Sequence, residues 1–286
     1  MAISSMLPPS WRPKWNLLRL ACEFRGPGRS LRYDQSLASW VATKPVDGKP
    51  MSFVVRSYRE LRRFRNFGID PSADLTYRWL RGASNCKVFY DVGASIGIYG
   101  IGAHVIHGAK SVFVEPYAPS IETLLKSISL VGTPENFEVV QAGIDAVPSY
   151  GRLYIHNPPK PGVTKTSYSD LSNYTLGGRD TDPVHASQWL PGVSLDQLIF
   201  EYGLPRPTHV KIDVDGFEVN AMKGATRLLQ ERSASSFCIE TNGNENLQAI
   251  EGLMADAGYK EIDRQRHERH EYFIADVVYQ RDNEVT

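Results

Sequence analysis

The chain has 286 residues, 42% of them apolar, with 32 basic and 32 acidic side chains and three cysteines. This composition supports one large core and argues against disorder, and Cys22, Cys86 and Cys238 form no CxxC pair, which argues against a disulfide framework or a structural zinc site. No window approaches the roughly 20 apolar residues that span a bilayer, and the start lacks the basic-then-apolar order of a signal peptide, so a soluble, cytoplasmic protein is expected.

The zero net charge hides an asymmetry. Residues 1–82 carry 15 Lys and Arg against 6 Asp and Glu, and the remainder carries 17 against 26. We expect a basic N-terminal extension over 1–82 that folds back on the acidic domain formed by 83–286; the competing reading is a docking surface for phosphates or anionic headgroups. The first 50 residues, rich in proline, are expected to be irregular. Trp11, Trp15, Leu17, Leu18 and Leu20 alternate with Arg12, Lys14 and Arg19, a mixture that either packs on the domain or makes a peripheral membrane contact. "RSYRELRRFR" (Arg56 to Arg65) predicts a basic helix with Leu61 and Phe64 spaced to touch the core.

From Val88 onward, short β-branched or aromatic runs alternate with helical patterns, the order of a parallel sheet covered on both faces. Strands are predicted at Val88 to Asp91, Ser111 to Glu115 and Phe137 to Gln141, with helices from Ile98 to Ile106 and from Pro119, the second carrying a stripe of Ile121, Leu124, Leu125 and Ile128. Farther on, "THVKIDVDG" (Thr208 to Gly216) is a fourth strand, followed by one helix with Ala221, Met222, Ala225, Leu228 and Leu229 on one side. "FCIET" (Phe237 to Thr241) is the fifth. Leu247, Ile250, Leu253 and Ala257 mark another helix stopped by Gly258, and "YFIADVVYQ" alternates like a strand with one exposed face. The expected fold is α/β, a doubly wound, mostly parallel sheet of six or seven strands. His156 to Gly192 is too long for an ordinary connection and is expected to form a lid loop, with "VHASQWL" pairing with "GRLYI" and with Tyr168, Asn173, Tyr174 and Trp189 interspersed.

The chemistry is concentrated in "DVGASIGIYG", where a strand ends in a glycine loop that feeds a helix, the general device for bringing backbone amides close to a nucleotide-like ligand. No Lys-Ser/Thr pair follows Gly97, which argues against a P-loop, and the spacing Gly93-x-x-x-Gly97-x-x-Gly100 departs from the dinucleotide G-x-G-x-x-G. What remains is a ligand with amino acid and ribose parts and no pyrophosphate. S-adenosylmethionine fits: Asp91 at the strand tip can accept from an ammonium, and Glu115, 18 residues after Gly97, stands where an acidic side chain accepts ribose hydroxyls.

"DVGASIGIYG", "VFVEPYAPS", "VSLDQL", "KIDVDGFEVNAMKGA" and "CIET" occur in the order seen in FkbM-type S-adenosylmethionine-dependent methyltransferases, and the resemblance covers roughly residues 55 to 275. Ser95 stands where the family's DVGANIG has Asn, and Asp215 where its KIDVEG has Glu. The resemblance implies a class I, Rossmann-like seven-stranded fold and O-methylation of a sugar, glycan or related hydroxyl. The cofactor set expected on this basis is Asp91, Gly93, Ala94, Ser95, Gly97, Glu115, Pro116 and Gly143.

Ligands of open α/β sheets bind beyond the carboxyl ends of the strands, which puts Asp91, Glu115, Asp213 and Glu240 on one rim. Asp213 is the expected base, Lys211 is expected to pair with Asp213 or Glu240, and His185, near the lid, is an alternative base. A regular strand would put Lys211, Asp213 and Asp215 on one face. Asp213, Asp215, Glu240 and Asn242 could also hold magnesium, although no spacing demands it; the pairs His104/His107 and His267/His270 read as surface histidines. The expected partner is a small-molecule or glycan acceptor, lipid-linked or free. Two other classes compete: a nicotinamide-dependent oxidoreductase, and a non-catalytic binding protein docking an anionic partner through Arg59, Arg62 and Arg63. The sequence lacks the aromatic platform expected of a single-strand nucleic-acid binder.

Overall fold

The computed structural model describes residues 24–155, 166–169, 184–269 and 272–282. The N-terminal Trp11 to Leu20 stretch, Cys22, Asn173, Tyr174 and His270 lie outside them, as does most of the expected lid. Asp47 and Gly48 both have positive φ (50° and 78°), the backbone of a two-residue hairpin turn. Around that turn, β1 (Ser30–Asp34), β2 (Ser39–Val46) and β3 (Lys49–Val55) form a three-stranded antiparallel sheet, correcting the expectation of an irregular N-terminus. Pro45 and Pro50 pair directly across the hairpin next to the turn, so the prolines that obscured the strands sit at the end of the ladder.

Helix α1 (Tyr58–Asn66) follows, started by Ser57 and Glu60 in a reciprocal cap and burying Leu61 and Phe64 completely, as their spacing predicts. Glu60 is buried too; it accepts from the Arg56 and Ser57 amides and the Thr123 hydroxyl, while burial pushes its carboxyl up. At the other end of α1, the buried Lys44 ammonium donates to the carbonyls of Arg65 and Phe67. Helix α2 (Leu75–Gly82), not foreseen, is capped by Asp74. These elements share one hydrophobic cluster with Phe89, Ile98, Phe113 and Leu124 of the following α/β region. The described N-terminal residues also reach that region through Arg56 to Glu122, Arg78 to Asp263, and Lys49 to the Ile106 carbonyl.

The α/β region begins with β4 (Val88–Val92), α3 (Ile98–His107), β5 (Lys110–Val114), α4 (Ala118–Ile128) and β6 (Phe137–Val140), close to the predicted bounds. Then come β7 (Gly143–Ile144), β8 (Ser149–Ile155), β9 (Thr166–Ser169) and β10 (Ala186–Val193). These form a separate four-stranded sheet in the order β7-β10-β8-β9, in which β8 and β10 pair antiparallel as expected from "GRLYI" and "VHASQWL". Its inner face sets Leu153, Ile155 and Leu190 against Tyr117, with Phe217 beside them.

The chain returns to the main sheet with β11 (His209–Ile212), α5 (Glu218–Lys223), α6 (Thr226–Glu231), β12 (Ser236–Asn242), α7 (Gly243–Asp256), β13 (Tyr259–Arg269) and β14 (Tyr272–Arg281). Seven strands align as β13-β14-β12-β11-β4-β5-β6. The five from β12 to β6 are parallel, and β14 and β13 run antiparallel at one edge. The order in which strands are added switches sides at β4, with β5 and β6 on one side and β11 and β12 on the other, which opens a crevice at the carboxyl ends there.

Three expectations change. The single helix after β11 is two, because Gly224 lies against the Asp145 carbonyl, where a Cβ would come within 2.4 Å, and Asp196 of "VSLDQL" caps the second by accepting from the Arg227 and Leu228 amides. β14 has no exposed face: Ile274, Ala275, Val277, Val278 and Tyr279 are all buried, because α7 packs on the face of Ala275, Val277 and Tyr279 and α2 shares a cluster with Val278 on the other. β13 itself, "YKEIDRQRHER", was hidden by its charge, which suits an edge strand. Among the described residues no helix is long and apolar enough to cross a membrane.

Two helical glycines separate propensity from packing. Gly252 in α7 has open space around it, and Gly252→Ala should raise stability by about 0.5–1 kcal/mol. Gly100 in α3 lies under the Phe113 ring, where a Cβ would sit 2.2 Å from a ring carbon, so Gly100→Ala should lower the thermal midpoint despite better helix propensity. Thermal denaturation of the two variants against the wild type checks both signs.

Candidate active site

The loop after β4 is shaped by contacts that leave no room for side chains. Gly93 has φ of 75°, and a Cβ there would lie 1.8 Å from the carbonyl oxygen of Asp213 at the end of β11. Its amide and that of Ala94 both donate to the Val114 carbonyl of β5, at 2.9 and 3.1 Å. Gly97, φ 81°, opens α3 with Leu124 pressed against its Cα side. Ser95 is also left-handed, φ 51°, a conformation that Asn tolerates better, which accounts physically for the Asn in the motif it resembles. The Ser95 amide donates to Glu115 Oε2 at 2.7 Å.

Glu115 follows β5, buried, with its second oxygen accepting from the Tyr117 amide at 2.8 Å; burial pushes its carboxyl up to about 7. Pro116 follows it in the short connection to α4. Asp91 has no exposed surface. One of its oxygens accepts from the Gly100 amide at 2.9 Å, and the other makes no hydrogen bond and faces the Lys211 ammonium at 3.5 Å. Burial pushes the Asp91 carboxyl up as well. This cradle suits S-adenosylmethionine: two loop glycines that no side chain could replace, a carboxylate at the end of β5, and a buried carboxylate oxygen with no hydrogen-bond donor. Gly143 is buried on β7 and paired with Gly192 of β10.

Strand register builds the second half of the site. Lys211 stands opposite Asp91 on one side and Cys238 on the other, and Glu240 stands directly opposite Asp276. By the two-residue period these side chains share a face, and Asp213, just beyond β11, continues the outer row. The result is a cleft of about 440 Å³ whose lining includes Asp74, Tyr99, Lys211, Asp213, Glu240 and Asp276. Lys211 is 4% exposed, 3.2 Å from Asp213, and lies over the Tyr99 ring. Burial opposes its charge, but Asp213 and Asp91 overcome that and hold it protonated. The charge of Asp213, followed by burial, pushes the Glu240 carboxyl up to about 9; burial, followed by Asp213, pushes Asp276 up to about 6. Among the described residues Glu240 has no hydrogen-bond partner, and Asp276 has the His267 ring at 3.5 Å.

The structure therefore brings together Asp91, Lys211, Asp213 and Glu240. Asp215 does not continue the row: β11 stops at Ile212, Asp215 turns left-handed (φ 50°), and the face expected of a regular strand ends with Asp213, although the Asp215 charge still acts on Glu115 and Glu240. His185 is exposed where β10 begins, its amide on the Ile155 carbonyl, and is not part of the cleft lining. His267 is exposed, as expected, and also lines the cleft beside Asp276. His104 and His107 bond the carbonyls of Ala109 and Leu80. Among the described residues no three His, Cys, Asp or Glu side chains gather as metal ligands. Asp74, Tyr99 and Asp276 were not foreseen; a lone Asp in the apolar run "YFIADVVYQ" was the available signal for the last.

The model of the methyltransferase FkbM domain matches residues 91–261. The hexuronic acid methyltransferase AglP of Haloferax volcanii is 24% identical over 234 residues, covering 77% of this chain and 87% of that protein. Among solved structures, the methyltransferase FkbM of Methylobacillus flagellatus aligns with a TM-score of 0.45 at 16% identity, over 77% of this chain and 54% of that one. The precorrin-6y C5,15-methyltransferase of Geobacter metallireducens aligns with a TM-score of 0.43 at 10% identity, over 76% and 92%. The matched residues span well over half of the chain and run from Asp91 through Glu240 to the start of β13, so the protein belongs to the FkbM family and is an S-adenosylmethionine-dependent methyltransferase.

Proposed function

We propose that the chain methylates a hydroxyl of a sugar, a glycan or a related metabolite. The observation that carries this reading is the row of carboxyl groups beside the glycine loop, in which Lys211 lies against Asp213 and the charge of Asp213 pushes the neighbouring Glu240 carboxyl up. The name of AglP, which acts on a hexuronic acid, supports a saccharide acceptor. Family membership takes the place of the oxidoreductase and non-catalytic readings.

S-adenosylmethionine, when bound, supplies an electrophilic methyl group. Asp91, Gly93, Ala94, Ser95, Gly97, Glu115 and Pro116 are its proposed holders, with Glu115 offered to the ribose hydroxyls. Asp213 takes the proton of the acceptor hydroxyl, and Lys211, 3.2 Å away, holds the Asp213 side chain in place. Glu240, protonated because Asp213 carries the charge, donates to a second hydroxyl and orients the acceptor. Most of the acceleration comes from this alignment. Lys211 and Glu240 act by positioning, and His185 has no role in this scheme.

Methyl transfer to a panel of methyl glycosides and uronides, read as a gain of one methylene by mass spectrometry, tests the reading; transfer to none of them while an amine or carboxylate is methylated would overturn it. Asp213→Asn should lower kcat by on the order of 10²- to 10⁴-fold with KM little changed. Calorimetry should show S-adenosylhomocysteine binding that weakens about tenfold or more in Glu115→Gln, since charge-assisted hydrogen bonds are worth about 1.5–3 kcal/mol, and no binding of NADH. Stability supplies a further check. A carboxyl raised from its ordinary value to about 9 favours folding below the ordinary value and loses that contribution as pH rises through 9. Glu240→Gln lacks this titration, so its thermal midpoint should exceed that of the wild type at pH 8 to 9 (about the raised value) and the gap should close toward acid.

A further inference from the structure

The methionine end of S-adenosylmethionine carries a carboxylate as well as an ammonium, and the side chains around the glycine loop are a poor match for an anion. Asp91, Glu115, Asp213, Glu240 and Asp276 are all acidic. Lys211 is already committed, with Asp213 at 3.2 Å and Asp91 at 3.5 Å.

A second cation does reach the loop. Arg63 of α1 is exposed, and its Nη1 donates to the Ser95 hydroxyl at 3.1 Å. Among the described residues it has no carboxylate partner, whereas Arg56, Arg78 and Arg81 are paired with Glu122, Asp263 and Asp47. Helix phase agrees: Asn66, three residues on and on the same side of α1, lines the cleft. The mount is rigid, since Leu61 and Phe64 are fully buried and Lys44 ties down the carbonyls at the end of the helix. Ser95 meets Arg63 from a left-handed backbone that a serine adopts at a cost, the kind of strain that persists at ligand sites. Because the Ser95 oxygen accepts from Arg63, its own proton is free to donate. The remaining guanidinium N–H groups and that hydroxyl form a donor set beside the loop, suited to a carboxylate.

We infer that Arg63 and the Ser95 hydroxyl bind the carboxylate of the methionine part of S-adenosylmethionine, so that α1, which lies outside the family-matched residues 91–261, completes the cofactor site. The inference rests on the cofactor assignment above. It gives the basic helix a role that neither folding back nor docking a macromolecule describes.

The test uses calorimetry on the full chain with S-adenosylhomocysteine and with its decarboxylated analogue, which keeps the adenosine, the sulfur and the amine. Arg63→Met should weaken S-adenosylhomocysteine on the order of 10- to 100-fold, as expected for a lost charge-assisted contact, and leave the analogue unchanged. Arg63→Lys should recover part of the loss. Arg62→Met, exposed on the same helix, should change neither ligand, and unaltered thermal midpoints would show that all three variants fold. Equal weakening of both ligands by Arg63→Met, or weakening of neither, would overturn the inference. Failure of the wild type to bind S-adenosylhomocysteine at all would instead remove the cofactor assignment on which it stands.

Discussion

A carboxylate buried in the middle of the sheet constrains everything around it. Asp91 has no exposed surface, and each of its oxygens joins β4 to something else: one anchors the start of α3 through the Gly100 amide, and the other faces Lys211 on the neighbouring strand. A buried charge needs a buried countercharge, and removing one partner of such a pair typically costs about 3–5 kcal/mol. Lys211 is therefore held at the carboxyl end of β11, and with it Asp213. The acid that fixes the glycine loop is thus the same acid that organises the charge of the cleft.

From that pair outward, the cleft has more negative groups than it can ionise together. One buried ammonium faces Asp91 and Asp213, and the next two strands add Glu240 and Asp276 in direct register. The carboxyls of Glu240 and Asp276 are pushed up in response, Glu240 most strongly. A site in which one carboxylate is charged and its neighbour is not can remove a proton at one position and donate a hydrogen bond at another. The absence of a hydrogen-bond partner for Glu240 among the described residues fits a group kept for a ligand.

The parts legible from the sequence were those in which local pattern and tertiary role agree. The glycine spacing in "DVGASIGIYG" announced a loop with no room for side chains, and Gly93 and Gly97 have positive φ and close neighbours. The apolar runs of β4, β5 and β12 appear nearly where expected, and of the stripe predicted for α4 Ile121 and Leu124 are buried whereas Leu125 is exposed. Legibility failed where two signals conflicted. Asp47-Gly48 marked a hairpin, but the flanking prolines read as irregular chain. β13 is a strand with the composition of a solvated helix face or loop, because an edge strand needs apolar residues on one side at most.

By itself the sequence determined the family, the succession of strands along the chain and the residue types at the rim, since these depend on periodicity and on motifs contained in a few adjacent residues. Only the tertiary structure decided which of those residues meet. Asp276 joins Glu240 because β14 returns antiparallel beside β12, some 36 positions away in the chain. Asp215 leaves the strand face of Lys211 and Asp213 because β11 ends one residue before Asp213. Arg63 reaches Ser95 because α1 packs beside the loop through Leu61 and Phe64. Each of these contacts depends on strand register or on the seating of a helix, quantities set by the packing of the whole core, which no short segment of sequence encodes.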